Sequence, residues 1–128
     1  MNAYVWIALG GALGSAARFA VTDWVYTRWP SSFPWGTLLV NVLGSLLIGM
    51  LAALGESGRG HWSMVTRQFL MLGVLGGFTT FSSFSLQTMM LLRNGAVLIA
   101  GLNALASVCL CLIAAWCGFA LVTMLARV

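Results

Sequence analysis

Four long apolar runs, divided by short breaks at Trp29 to Pro34, Gly55 to Trp62 and Arg93 to Gly95, constrain this chain more than any single motif does. About 20 apolar residues carry a helix across the hydrocarbon of a bilayer. The runs therefore read as four spans, at about residues 3–26, 35–54, 63–92 and 96–124, with almost nothing outside them. Of the 128 residues, 61% are hydrophobic and 6% charged, with a mean hydropathy of +1.00, far from the composition of a soluble domain. The expected fold is an all-α integral membrane protein, a single four-helix membrane domain over 1–128, whose activity lies within or between the helices.

The first span has neither a basic flank before it nor a small-residue cleavage site after it, so it is expected to remain as a helix. Cys109, Cys111 and Cys117 all lie in the last span without metal-ligand partners and read as small packing residues. The net charge of +4 comes from Arg residues spread along the chain. It forms no basic patch of the kind that binds nucleic acid, which is excluded as a partner. With four spans, Arg59, Arg67 and Arg127 fall on the side of the N-terminus and Arg28 and Arg93 on the other. Such a weak asymmetry gives the positive-inside rule little grip, and an antiparallel dimer becomes a real possibility.

The third run contains Gly73 to Ser85, GVLGGFTTFSSFS, which is poorly suited to a continuous helix. Gly76 and Gly77 lower helix propensity where a span would be deepest, and a tract alternating aromatic rings with hydroxyls follows. Broken backbone at membrane depth is tolerated where it is buried in protein or lines a cavity. The span is thus expected to be two half-helices meeting at a functional break at 76–80; a glycine kink held by Ser/Thr bonding to carbonyls is the alternative.

In the first span, Gly10 and Gly14 form a G-x-x-x-G pair suited to close helix packing, within the subunit or at a dimer seam. Arg18 is a costly intramembrane charge, facing a cavity or snorkelling toward the Trp24 to Trp29 interface. Trp24, Trp29 and Trp35 make an aromatic belt. In the second span Thr37, Asn41 and Ser45 recur at every fourth position, on one face. The Asn41 amide offers two donors to an anion, or serves as interhelical glue. His61, the only histidine, reads as a loop residue. Phe81 and Phe84 share a helix face, and their positive ring edges can meet an anion without a fixed cation. Ser82, Ser83, Ser85 and Thr88 add hydroxyl donors, and Asn103, Ser107 and Cys111 repeat the spacing of four in the last span.

Within the spans there is no His, Lys, carboxylate pair, metal-ligand cluster or nucleophile beside a base, which excludes most enzymes. Hydroxyls, amides and aromatic edges remain. That set suits passive conduction of a small anion, coordinated well enough to enter and loosely enough to leave.

The chain resembles the small bacterial fluoride channels of the Fluc or CrcB family. The matching stretches are GGALGSAARF from Gly10 to Phe19, WGTLLVNVLGS from Trp35 to Ser45 and GGFTTFSSFS from Gly76 to Ser85; with the four-span layout they cover essentially the whole chain. The resemblance implies a dual-topology, antiparallel homodimer in the bacterial inner membrane, with two pores selective for fluoride over chloride and no enzymatic activity. It implies that Phe81 and Phe84 contact fluoride edge-on, that Asn41 is a pore-lining amide, and that Ser82, Ser83, Ser107 and Thr37 continue a polar track with Arg18 at the vestibule. It also implies a structural Na⁺ on the dimer axis, held by the backbone carbonyls of Gly76 and Thr79 from each copy. Family members commonly carry hydroxyls where this chain has Asn103 and Cys111; Asn103 is placed with the pore residues and Cys111 is left out. The rival is a proton-coupled small multidrug exporter, which needs an acid in the middle of span 1 that this sequence does not have.

Overall fold

The computed structural model describes residues 2–57 and 62–126; Arg59, His61 and Arg127 lie outside the described residues. All the regular structure described is helical. Helix α1 is Ala3–Arg28, α2 Trp35–Glu56, α3 Met64–Arg67, followed by a π-helical segment Gln68–Leu75, then α4 Gly76–Phe78, α5 Phe81–Arg93 and α6 Val97–Ala126. These make four stretches long and apolar enough to cross a membrane: Ala3–Arg28, Trp35–Glu56, Met64–Arg93 and Val97–Ala126.

The outer surface follows from the solvent. Phe19, Leu98, Leu112 and Trp116 are exposed on a single chain, as side chains facing lipid are. Lipid offers no hydrophobic drive for helices to associate, so small residues that let backbones approach set the packing instead. A Cβ on Gly49 would run into the Ala115 carbonyl, and one on Gly118 into the Leu46 carbonyl, so α2 and α6 lie backbone against backbone.

The same device joins α1 to the third span. A Cβ on Gly10 would lie 2.7 Å from the Phe69 oxygen, and one on Gly14 would meet the Val74 oxygen. Over a step of four residues in α1, from Gly10 to Gly14, the facing carbonyl moves on by five, from Phe69 to Val74. That is the i→i+5 step of a π-helix, and Gln68–Leu75 adopts it. The glycine pair is also part of this contact. Gly76 and Gly77 are helical, and a Cβ on Gly77 would stand 2.5 Å from the Gly11 oxygen.

Extended backbone comes after the glycines, at Thr79 (φ −85°, ψ 159°) and Thr80 (φ −152°, ψ 113°). The extended pair lies within 76–80 at its threonine end: Gly76 and Gly77 stay helical against α1, whereas the two β-branched threonines accept extended dihedrals readily. Helix α5 then restarts with a Thr80 cap, the Ser83 N–H donating to Thr80 Oγ1 at 3.2 Å. It ends at Arg93, and Gly95, two residues on, has a φ of 75°, in the left-handed region. There the Ala96 N–H donates to the Leu91 carbonyl at 2.9 Å and the Gly95 N–H to the Leu92 carbonyl at 3.0 Å, the paired bonds that close a helix and turn the chain into α6.

Candidate functional site

The extended pair Thr79–Thr80 would leave backbone groups unpaired inside the bundle if nothing met them. Asn41 on α2 does so. Its Nδ2 donates to the Thr80 carbonyl at 3.0 Å and its Oδ1 accepts from the Thr80 N–H at 2.7 Å. Thr80 is buried, so both bonds matter. One N–H of the Asn41 amide is committed by this exchange and the second is left for another acceptor.

The exchange has a consequence for the carbonyls before it. In an unbroken helix the Gly76 carbonyl would accept from the Thr80 N–H and the Thr79 carbonyl from the Ser83 N–H. Those donors go to Asn41 Oδ1 and Thr80 Oγ1 instead. Gly76 and Thr79 both line a cavity of about 440 Å³, so two carbonyl oxygens without their helical donors belong to residues at its wall. The side chains around them offer no rival ligand set: among the described residues no group of three His, Cys, Asp or Glu could hold a metal.

That cavity, between α2, α5, α6 and the π-helical segment, gathers several of the residues singled out in the sequence. Asn41, Phe81, Phe84 and Ser107 line it, together with Ser45 and Cys111. The Phe81 and Phe84 rings lie 5.2 Å apart, centroid to centroid, at an interplanar angle of 48°, and Phe81 is 76% exposed on the single chain. Most of Phe81 is thus left uncovered by the rest of the chain.

A second cavity, about 250 Å³, lies on the other side of Thr80, between α1, α2 and α5. Arg18, Thr37, Thr80, Ser83 and Gln87 line it, so it combines one guanidinium with hydroxyls and an amide. Thr80 borders both cavities and its hydroxyl donates to Ser83 Oγ at 3.0 Å. Neither Asp23 nor Glu56 lines either space.

Ser82 is exposed and reaches this group through Thr80 Oγ1, at 3.4 Å. Asn103 stands one layer back: it is 1% exposed, its Nδ2 donates to Thr88 Oγ1 at 2.9 Å, and its Oδ1 accepts from Ser107 at 3.4 Å. The amide is thereby engaged in orienting Ser107, which does line the larger cavity.

Three residues of the site were not singled out in the sequence. Thr80 is the hinge of the hydrogen-bond scheme; a threonine just before the restart of an apolar helix, with Ser83 at its third position, carries the usual signal of an N-cap. Gln87 and Tyr26 meet through a bond from Gln87 Nε2 to the Tyr26 hydroxyl at 3.1 Å. No spacing rule links residues so far apart in the chain.

The family described as "CrcB-like protein, Camphor Resistance (CrcB)" matches residues 5–119. The chain is 55% identical over 119 residues to a protein of Opitutus terrae named fluoride-specific ion channel FluC, covering 92% of this chain and 90% of the relative. A protein of that name from Methylocella silvestris is 53% identical, covering 90% of this chain and 88% of its own. One from Paramagnetospirillum magneticum is 44% identical over 128 residues, covering 99% of this chain and 100% of its own. With four candidate spans, two cavities flanking an extended Thr79–Thr80 step and a match along nearly its whole length, the chain belongs to the CrcB family of multi-pass membrane proteins.

Proposed function

We propose that this protein is a fluoride channel of the bacterial inner membrane, letting fluoride leave the cytoplasm passively and so conferring resistance to it. The observation that carries the reading is a site built from neutral donors. Asn41, Ser107 and the Phe81 and Phe84 rings line one cavity, and Thr37 and Ser83 line the next with Arg18 as the single permanent charge. Neutral donors can replace the water around a small halide without binding it too tightly to leave, and a cation beside the path raises the local anion concentration. The relatives' name supplies the identity of the halide.

The working unit is an antiparallel homodimer of dual topology with two pores. This is supported by the 76% exposure of Phe81 beside the larger cavity and by charges too balanced to fix one orientation. The interruption of the third span at Thr79–Thr80 serves that assembly. A structural Na⁺ fits the Gly76 and Thr79 carbonyls, whose helical donors are diverted to Asn41 and Thr80 Oγ1. Two such oxygens from each copy would hold it, and when bound it supplies positive charge that joins the two chains. In the polar track, Ser82, Ser83, Thr37 and Ser107 donate directly, while Asn103 acts through Ser107.

The rival, a proton-coupled multidrug exporter, requires a carboxylate in the translocation path, and Asp23 and Glu56 line neither cavity. Purified protein in liposomes loaded with fluoride separates the two. A channel releases fluoride rapidly to an external electrode once the membrane potential is clamped with a potassium ionophore, without a pH gradient. No release above empty liposomes, or release that needs a proton gradient, would overturn the proposal.

A further inference from the structure

A hydroxyl on a helix has one hydrogen to give, and the backbone carbonyl one turn back competes for it. On α5 the carbonyl wins at Ser85, which donates to the Phe81 oxygen at 3.0 Å, and at Thr88, which donates to the Phe84 oxygen at 2.8 Å. Both hydrogens are spent within the helix, and neither residue lines either cavity flanking Thr80. Ser83 lies on the same helix and has the Thr79 carbonyl one turn back. It makes no such bond; its oxygen instead accepts from Thr80 Oγ1 at 3.0 Å, and its own hydrogen has no acceptor among the described residues.

We infer that Thr80 is a positioning residue for conduction: its hydroxyl engages the Ser83 oxygen, and so keeps the Ser83 hydrogen out of the helix and ready for an anion in the cavity that Ser83 shares with Arg18. This rests on the fluoride-channel reading above and deepens it, by naming what makes Ser83 a donor. Thr80 is itself firmly held. It is 7% exposed, its N–H and carbonyl are both bonded to Asn41, at 2.7 and 3.0 Å, and its Oγ1 accepts from the Ser83 N–H at 3.2 Å. A β-branched side chain on a fixed backbone has little freedom at χ1. Of its two hydroxyl contacts, 3.0 Å to Ser83 and 3.4 Å to Ser82, the shorter one takes the hydrogen.

The bond also strengthens what Ser83 offers. A hydroxyl that already accepts a hydrogen bond is polarised into a better donor, and more so in a low-dielectric surrounding. Ser83 lines the cavity of about 250 Å³ together with Arg18 and Thr37. An anion there meets a neutral, pre-aimed donor beside a guanidinium, with Asn41 fixing Thr80 and Thr80 fixing Ser83. Without the Thr80 hydroxyl, Ser83 stands where Ser85 and Thr88 stand, and its hydrogen turns to the Thr79 carbonyl.

A double-mutant cycle on Thr80 and Ser83 tests this, read as the initial rate of fluoride release from liposomes with the potential clamped and equal Na⁺ on both sides. Thr80→Val should slow release by about twofold to tenfold, the worth of one modest hydrogen bond, and Thr80→Ser, which keeps the hydroxyl, should stay within about twofold of wild type. In Ser83→Ala protein, which has no hydroxyl hydrogen left to aim, Thr80→Val should slow release by a clearly smaller factor. Loss of the cap, or of a cation held by the Thr79 carbonyl, acts through backbone that Ser83→Ala retains, and so would appear undiminished in both backgrounds. Should Thr80→Val not elute and melt as a folded protein, Thr80→Ala takes its place in the same comparison. The same factor in both backgrounds, or wild-type release from the variant lacking the hydroxyl, overturns the role of Thr80 and leaves the channel reading standing. No release from the wild-type protein overturns the channel reading, and this inference with it.

Discussion

The Asn41 side chain and the Thr80 backbone exchange two hydrogen bonds, of 3.0 and 2.7 Å, across the α2–α5 boundary. Asn41 thus replaces the helical partners that Thr80 forgoes by being extended, which is the interhelical role open to it in the sequence; a donor aimed at a passing ion is the role proposed beside it. The same amide splints the backbone and borders the larger cavity.

Replacing Asn41 separates these roles. Asn41→Ala leaves the Thr80 N–H and carbonyl unpaired in a buried place, at a cost of about 1–3 kcal/mol for each group. Asn41→Asp can still accept from the N–H but sets a carboxylate against the carbonyl and against any anion. Both variants should melt earlier in detergent and release fluoride slowly or not at all. Wild-type melting and flux in both would show that Thr80 does not depend on this residue.

Phe81 and Phe84 should behave in the opposite way. Phe81 is mostly exposed on the single chain, so Phe81→Ile removes little internal packing and should leave the melting curve of the monomer's helices nearly unchanged. Flux should nevertheless fall at least about tenfold if the ring edge contributes on the order of 1.4 kcal/mol to holding the ion, within the range of measured aromatic contacts. Phe84→Ile should act alike. Electrode measurements showing undiminished release in both would remove the rings from the pore.

The helix packing makes a prediction that needs no function. Gly118→Ala drives a methyl into the Leu46 carbonyl and should destabilise by about 1–3 kcal/mol, because backbone has nowhere to retreat. Gly101→Ala, on the same helix with nothing within 4 Å of the added methyl, should be neutral or stabilise by about 0.5–1 kcal/mol. Thermal unfolding of the two variants side by side checks the contrast; equal shifts would contradict the α2–α6 contact.

The cation proposal predicts an ion dependence confined to the assembled protein. Exchanging Na⁺ for a bulky organic cation should lower the thermal stability of the dimer and slow fluoride release, and adding Na⁺ back should restore both. Thr80→Val, which removes the cap from Ser83, should cost about 1 kcal/mol, whereas Thr80→Ser keeps the hydroxyl and should cost less. Thr80→Val should also weaken the Na⁺ effect, because the freed Ser83 N–H can return to the Thr79 carbonyl. A protein indifferent to Na⁺ in both measurements would exclude the site.

Much of this was legible in the letters for identifiable reasons. Apolar length alone marks a membrane span, so the boundaries at Arg28, Trp35, Arg93 and Val97 lie within a few residues of the expected ones. Thr37, Asn41 and Ser45 share a spacing of four, yet two different cavities receive them: Thr37 borders the smaller cavity beside Arg18, Asn41 and Ser45 the larger one. Helix periodicity fixes a face but not what stands opposite it. Asn103 illustrates the same limit, since only its neighbours Thr88 and Ser107 decide that its amide is engaged.

By itself the sequence determined the solvent and the element type: a chain this apolar must bury its backbone polarity within helices, and its few polar residues must then turn inward. Where the backbone departs from helix was decided by tertiary contact. The glycines yield to the close approach of α1, and Asn41 on another helix supplies the bonds that let Thr79 and Thr80 lie extended. Hydrogen-bond partners and backbone clearances depend on which helix lies alongside, and that relation has no counterpart in the spacing of residues along one chain.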